Sequence, residues 1–178
     1  MRFCYADPPY LNCGKRYDHP EALIWNTEEA HINLIDSLVR DFPDGWAVSI
    51  SVPSLPLYLA AAPKARVCAW TKPFAIYKPN VGVAYTWEPV LLSGGRKRTR
   101  QQPTIRDHLS ENITLKKGLC GAKPLRFNQW ILGLLNFQQG DEIVDMFPGT
   151  GGMADAVLIG EHDIGGPRKA GLLYANNH

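Results

Sequence analysis

Apolar residues along the chain fall into short uninterrupted runs alternating with stretches of helical spacing. The first run, RFCYA from Arg2 to Ala6, is closed by Asp7 and predicts a buried strand. Beyond Asn26, read as an N-cap with Glu29 three residues on, His31, Leu34, Ile35 and Leu38 recur on one helical face. His31 on that face reads as a packing residue with satisfied hydrogen bonds. WAVSISV predicts a second strand, SLPLYLAAA a short helix, and ARVCAW a third strand running into Lys72 and Pro73. WEPVLLSG, Trp87 to Gly94, predicts a fourth strand. Residues 95–120 show no sustained period and read as a mobile loop with room for one short helix. After Pro124 the positions Phe127, Trp130, Ile131, Leu134 and Leu135 mark an amphipathic helix that ends before Gly140. DEIVDMF is a last strand and opens onto PGTGGMADAV.

Strands alternating with helices predict an α/β sheet. A length of 178 residues with 45% hydrophobic content suits a single domain over 1–178 with a real core. The stretch after residue 160 reads as an irregular tail. No run approaches the roughly 18 apolar residues that would span a bilayer, and MRFCYADPPY lacks the basic and apolar regions of an export signal. The expectation is a protein of the cytoplasm, without a membrane partner. Cys4, Cys13, Cys68 and Cys120 form neither a C-x-x-C pair nor a metal-spaced cluster, so reduced thiols and no metal are expected.

Charge changes the picture locally. Arg96, Lys97, Arg98, Arg100, Arg106, Lys116 and Lys117 stand against only Asp107 and Glu111, which gives the segment +5 in a chain of net charge +2. Such a cluster is either a solvated surface or a grip for a polyanion.

Two loops carry candidate chemistry. In YADPPY, two prolines fix the backbone and donate no hydrogen bond, so Asp7 and Tyr10 are presented on a stiff loop with prolyl carbonyls between them. A plain turn is the competing reading. In the other loop, Gly149, Gly151 and Gly152 between a strand and a helix allow close backbone approach to a ligand, with helix N–H groups aimed at it. Gly149-x-Gly151-x-x-Ala154 also fits the dinucleotide fingerprint, but only 24 residues remain for the βαβ unit that reading requires.

The motifs together resemble the DNA amino-methyltransferases that act on adenine N6 or cytosine N4. DPPY is similar to that family's catalytic motif, DMFPGTGG to its S-adenosyl-L-methionine (AdoMet) motif, GAKPLRFNQWILGLL to the segment at the methionine end of the cofactor, and AWTKP and WEPVLL to its middle strands. Catalytic motif first and AdoMet motif last is the permuted, beta-type order, and the resemblance spans residues 1 to about 158.

The resemblance implies a Rossmann-like AdoMet-dependent methyltransferase sheet, mostly parallel with one antiparallel strand, circularly permuted and short at its C-terminal end. The implied strand order is the fifth strand, then the first, second, fourth and third, with the fourth antiparallel. It assigns catalysis to Asp7, Pro8, Pro9 and Tyr10 and AdoMet contacts to Asp145, Phe147, Pro148, Gly149, Thr150, Gly151, Lys123 and Phe127. In that scheme the Asp7 carboxylate and the Pro8 carbonyl each take one N–H of the target amine, while Tyr10 stacks on a flipped-out base. The basic segment Arg96, Lys97, Arg98, Arg100, Arg106, Lys116 and Lys117 then contacts DNA, double-stranded with base flipping or single-stranded. Compact stand-alone relatives of this kind are carried by bacteriophages in bacterial host cells, and a homodimer is compatible with the family. The family's ribose-binding acid has no clear counterpart: Glu161 and Asp163 have the spacing but sit in a loop-like stretch. Two alternatives stay open, a non-catalytic methyltransferase-like nucleic-acid-binding protein and a cytosine-N4 or RNA methyltransferase.

Overall fold

The structure, a computed structural model, describes residues 1–17, 20–74, 80–114 and 122–160. Lys116, Lys117, Cys120, Glu161, Asp163 and the expected tail lie outside the described residues.

Six strands form one sheet: β1 (Arg2–Ala6), β2 (Gly45–Ser49), β3 (Arg66–Thr71), β4 (Trp87–Gly94), β5 (His108–Ser110) and β6 (Glu142–Asp145), in the spatial order β5-β3-β4-β2-β1-β6. β4 runs antiparallel to both of its neighbours, β2 and β3, and every other pairing is parallel. Apart from β5, the order and the antiparallel strand are those implied by the family resemblance. β5 was not expected, because three residues inside a polar segment carry no period. It forms through tertiary contacts: the Trp70 indole N–H donates to the Glu111 carbonyl at 2.9 Å and the Thr71 hydroxyl to the Leu109 carbonyl at 3.1 Å. The described part of 95–120 therefore holds a sheet-edge strand, and no helix is found among its described residues.

β1 is apolar at every interior position because both of its faces are covered. Phe3 and Tyr5 point to the side of α3 (Leu125–Leu135) and α4 (Gly152–Ile159), where they meet Phe127, Trp130, Ile131 and Met153. Cys4 and Ala6 point to the side of α1 (Glu28–Asp41) and α2 (Leu55–Ala61), with Leu34, Ile35, Leu38 and Tyr58. Burying each large apolar side chain contributes roughly 1.5–3 kcal/mol, and this two-sided burial is what specifies the register of a central parallel strand.

The face expected of α1 is the one buried: His31, Leu34, Ile35 and Leu38. Its N-cap is Thr27 rather than Asn26. The Thr27 hydroxyl accepts from the Ala30 N–H at 3.4 Å, while the Asn26 side-chain oxygen accepts from the Gly14 N–H at 3.0 Å and so closes the preceding loop. α3 ends at Asn136 in a left-handed conformation (φ 52°), and the Asn136 amide reaches back to the Arg96 and Lys97 carbonyls. No described helix is long and apolar enough to cross a membrane.

His31, 1% exposed, is held on both sides. Its Nε2–H donates to the Trp25 carbonyl at 2.8 Å, leaving Nδ1 to accept from the Tyr58 hydroxyl at 2.5 Å. Burial lowers the imidazole pKa from its ordinary 6.5. Because the folded state binds this proton less readily than the unfolded chain, stability is full above about pH 6.5 and declines as pH falls through the lower folded value. Replacing His31 with Leu is expected to leave a buried hydroxyl and a carbonyl unpartnered, at about 1–3 kcal/mol each. Urea denaturation at pH 7.5 measures that loss, and a pH series of wild type and His31→Leu shows whether the decline below pH 6.5 disappears.

Candidate active site

The parallel register places Tyr5 opposite Asp145, so the chain leaves β1 and β6 at one edge of the sheet with its two chemistry-bearing loops side by side. The Met146 N–H donates to the Tyr5 carbonyl at 3.0 Å and ties the loops together at their roots. This is the carboxyl edge of the parallel strands, where α/β sheets bind their ligands.

In the first loop, Pro8 and Pro9 are buried, and Asp7 and Tyr10 are half-buried. Lys123, at the entry to α3, donates to both Asp7 carboxylate oxygens, at 2.8 and 2.7 Å. The same ammonium lies 3.5 Å from the Tyr10 hydroxyl and 3.9 Å from Glu88. Tyr10 donates its hydroxyl proton to Glu88 at 2.7 Å, and the other Glu88 oxygen pairs with Lys72. Two carboxylates and two ammonium groups thus close a neutral network, with side-chain exposures of 20% for Asp7, 18% for Glu88, 14% for Lys72 and 8% for Lys123. Burial pushes the Asp7 carboxyl above its ordinary value, and Lys123 lessens that rise without cancelling it. Burial also acts on Glu88, but Lys123, Lys72 and the Tyr10 hydroxyl outweigh it and hold this carboxyl below the usual range. Desolvation, Asp7 and Glu88 together push the Tyr10 phenol well up, so it remains a donor.

Glu88 and Lys72 are the site residues that a motif-by-motif reading misses. Glu88 is one residue into β4 and Lys72 directly follows β3, far from DPPY in sequence. The available signal was weak: Glu88 is the one charged residue of β4, and Lys72 directly follows β3.

In the second loop, Gly149 and Gly151 adopt φ of +48° and +78°, which an L side chain rarely takes. Pro148, Gly149 and Thr150 are exposed. No side chain caps α4 at Gly151. A Cβ on Gly152 would sit 2.6 Å from the buried Asn128 amide nitrogen, so glycine there permits the close approach of α4 to α3. Asp145 accepts from the Phe147 N–H at 3.1 Å, and burial is the main cause of its raised pKa. The Phe147 ring packs edge-on against Trp25 at 5.1 Å. Phe127 lies wholly inside the core, its ring against Tyr5, Trp70 and Trp130, and so backs the site rather than lining it. Among the described residues, no group of His, Cys, Asp and Glu is placed to hold a metal ion.

The basic cluster divides in two. Arg96 donates to Asp141 at 2.5 Å, and Arg98 donates to the Gly133 carbonyl at 2.6 Å and the Pro103 carbonyl at 3.0 Å, which fastens the segment to the end of α3. Lys97, Arg100 and Arg106 are exposed.

No protein-family model matches the sequence, and no curated protein matches it. Solved structures do match the fold. M1.HpyAVI, crystallised as its complex with SAM, superposes with a TM-score of 0.60 at 16% identity, over 89% of this chain and 78% of the other. TTHA0409 from Thermus thermophilus, described as a candidate DNA modification methylase, gives a TM-score of 0.51 at 18% identity in its complex with S-adenosyl-L-methionine, over 86% and 75% of the two chains. The selenomethionine derivative of TTHA0409 gives the same score and identity over 88% and 75%. The chain shares its fold with these structures, and its own described sheet has six strands, mostly parallel, with helices on both faces.

Asp141 is held to about pKa 2, chiefly by its bonds to Arg96 and the amino terminus, which outweigh burial. Arg96→Ala would leave this carboxylate, 4% exposed, without its guanidinium, and is expected to cost about 1–3 kcal/mol by chemical denaturation. Arg100→Ala, on an exposed side chain, is expected to change stability by less than about 0.5 kcal/mol.

Proposed function

We propose that this protein transfers the methyl group of AdoMet to the exocyclic amine of a DNA base, adenine N6 being the first choice. One observation carries the reading: the Tyr5–Asp145 register sets the DPPY loop beside the glycine turn on one sheet edge. The likeness in fold to structures solved with SAM supports it.

The residues present fit the cofactor. Two positive-φ glycines, an uncapped α4 and an exposed turn form a cradle in which added side chains are strained or crowded. Pro148, Gly149, Thr150 and Gly151 would hold AdoMet from this turn, with Asp145 and Phe147 at its root. When bound, AdoMet supplies an electrophilic methyl group. The other half of the reaction falls to the DPPY loop. An adenine amine is a weak nucleophile because its lone pair is delocalised into the ring, so acceptors on both N–H bonds are needed to direct that pair. Asp7 offers one acceptor and the Pro8 carbonyl the other, on a backbone that the paired prolines stiffen, so that both acceptors are oriented in advance of the reaction. The Tyr10 ring is the surface for the base to stack on, held in place by the bond from its hydroxyl to Glu88. Lys97, Arg100 and Arg106 are the phosphate contacts, because Arg96 and Arg98 are committed within the protein.

Asp7→Ala is expected to lower transfer by on the order of 10² to 10³, the cost of one preorganised partner for the reacting group. AdoMet affinity by calorimetry should be retained. Nucleoside mass spectrometry of the methylated DNA names the base: N6-methyladenine supports the reading in full, whereas N4-methylcytosine keeps the mechanism and changes the substrate. Near-normal transfer by Asp7→Ala would refute the assignment.

Counterion release gives DNA binding a log–log salt slope of about −0.9 per phosphate neutralised. Replacing Lys97, Arg100 and Arg106 together with Ala should flatten the slope by up to roughly three units. An unchanged slope would assign these side chains to a solvated surface.

A further inference from the structure

We infer that Lys123 is the positioning residue for Asp7: its ammonium clamps both carboxylate oxygens and keeps them as acceptors turned toward the base side of the site. The inference deepens the proposed function and rests on it for the identity of the group Asp7 serves.

The geometry differs from that of a surface ion pair. Lys123 is 8% exposed, reaches a residue 116 positions away, and donates to both oxygens of one carboxylate. Three rings lie near the ammonium, Tyr10 at 5.6 Å and Trp70 and Phe127 each at 5.9 Å, so the charge sits among polarisable faces that favour a cation. The backbone is fixed as well. Pro124 follows Lys123 and caps α3, and the Lys123 carbonyl lies 3.9 Å from the position of a Cβ on Gly152. One residue therefore approaches the start of α4 with its backbone and the DPPY loop with its side chain.

The chemistry asks for such a clamp. A carboxylate offers about four lone-pair directions, and an ammonium bonded once to each oxygen leaves the others for a target N–H. A protonated carboxyl would instead present an O–H and lose part of its accepting capacity. Asp7 is half-buried, and desolvation favours that protonated form; Lys123 opposes it most directly. The other charged and titratable groups around Asp7 are Glu88 on β4, Lys72 after β3, Tyr5 on β1, Tyr10 on its own loop, Tyr58 on α2 and Asp145 at the end of β6. Glu88 and Asp145 work against ionisation of Asp7. Lys72 favours it, but spends its ammonium on Glu88.

The test is a titration of the Asp7 side-chain carboxyl by carbon-13 NMR, with the resonance assigned through Asp7→Asn. In Lys123→Met the midpoint should rise by about one pH unit or more, the effect of removing an opposite charge at contact distance. In Lys123→Arg it should stay near the wild-type value. The acid limb of the methyl-transfer rate should follow the same pattern, and Lys72→Met should move it less. If Lys123→Met does not fold, Lys123→Gln carries the same titration; in the wild type, the Lys123 ammonium nitrogen should report Asp7 titration at the same midpoint. An unmoved Asp7 midpoint in folded Lys123→Met or Lys123→Gln would overturn the clamp. Absence of methyl transfer by wild type, with the midpoint still shifted in the variant, would instead overturn the proposed function and leave the clamp standing.

Discussion

The pairing of β1 with a parallel strand on each side is the constraint from which the rest follows. β1 contributes only five residues, yet it is buried on both faces and hydrogen-bonded along both edges. A slip of one residue would exchange the sets Phe3/Tyr5 and Cys4/Ala6 between two differently shaped cores, with large rings required on the α3 side and small groups on the α1 side. The register is therefore over-determined, and so is the placing of Asp7 just beyond Ala6 and of the glycine turn just beyond Asp145. Positional precision in the candidate site is inherited from the core rather than built by the loops.

The second organising feature is electrostatic. Asp7, Glu88, Lys72 and Lys123 bring two negative and two positive charges into a partly desolvated space, arranged so that each carboxylate has an ammonium partner. Any one of these charges alone at that depth would be costly, and removing a single partner leaves the other uncompensated. Their mutual neutralisation lets the site keep a carboxylate beside the sheet edge without that edge becoming strongly charged. It also ties four separate elements, the DPPY loop, the end of β3, the start of β4 and the entry to α3, into one unit.

How much of this was legible in the sequence depended on the range of the interaction responsible. Local patterns were readable: the His31, Leu34, Ile35 and Leu38 face, the strand ending at Asp7, and the positive-φ glycines all follow from neighbours a few residues apart. The strand order came from the resemblance to a family, not from periodicity. Glu88, Lys72 and the short β5 were not readable, since each takes its role from partners tens of residues away. The Arg96 and Arg98 pairings escaped for the same reason. A run of basic residues looks uniform in sequence, and only the end of α3 and Asp141 distinguish those that fasten the chain from those that face solvent.

The proposed function requires the loops following β1 and β6 to form one site for AdoMet. Hydrogen–deuterium exchange of the protein with and without AdoMet addresses this directly, because the backbone amides flanking the two loops are separate reporters. Slowed exchange is expected in peptides covering both Tyr5 to Asn12 and Asp145 to Ala154, with little change at the β3–β5 edge. Slowed exchange in only one of the two segments, or in neither, would contradict it.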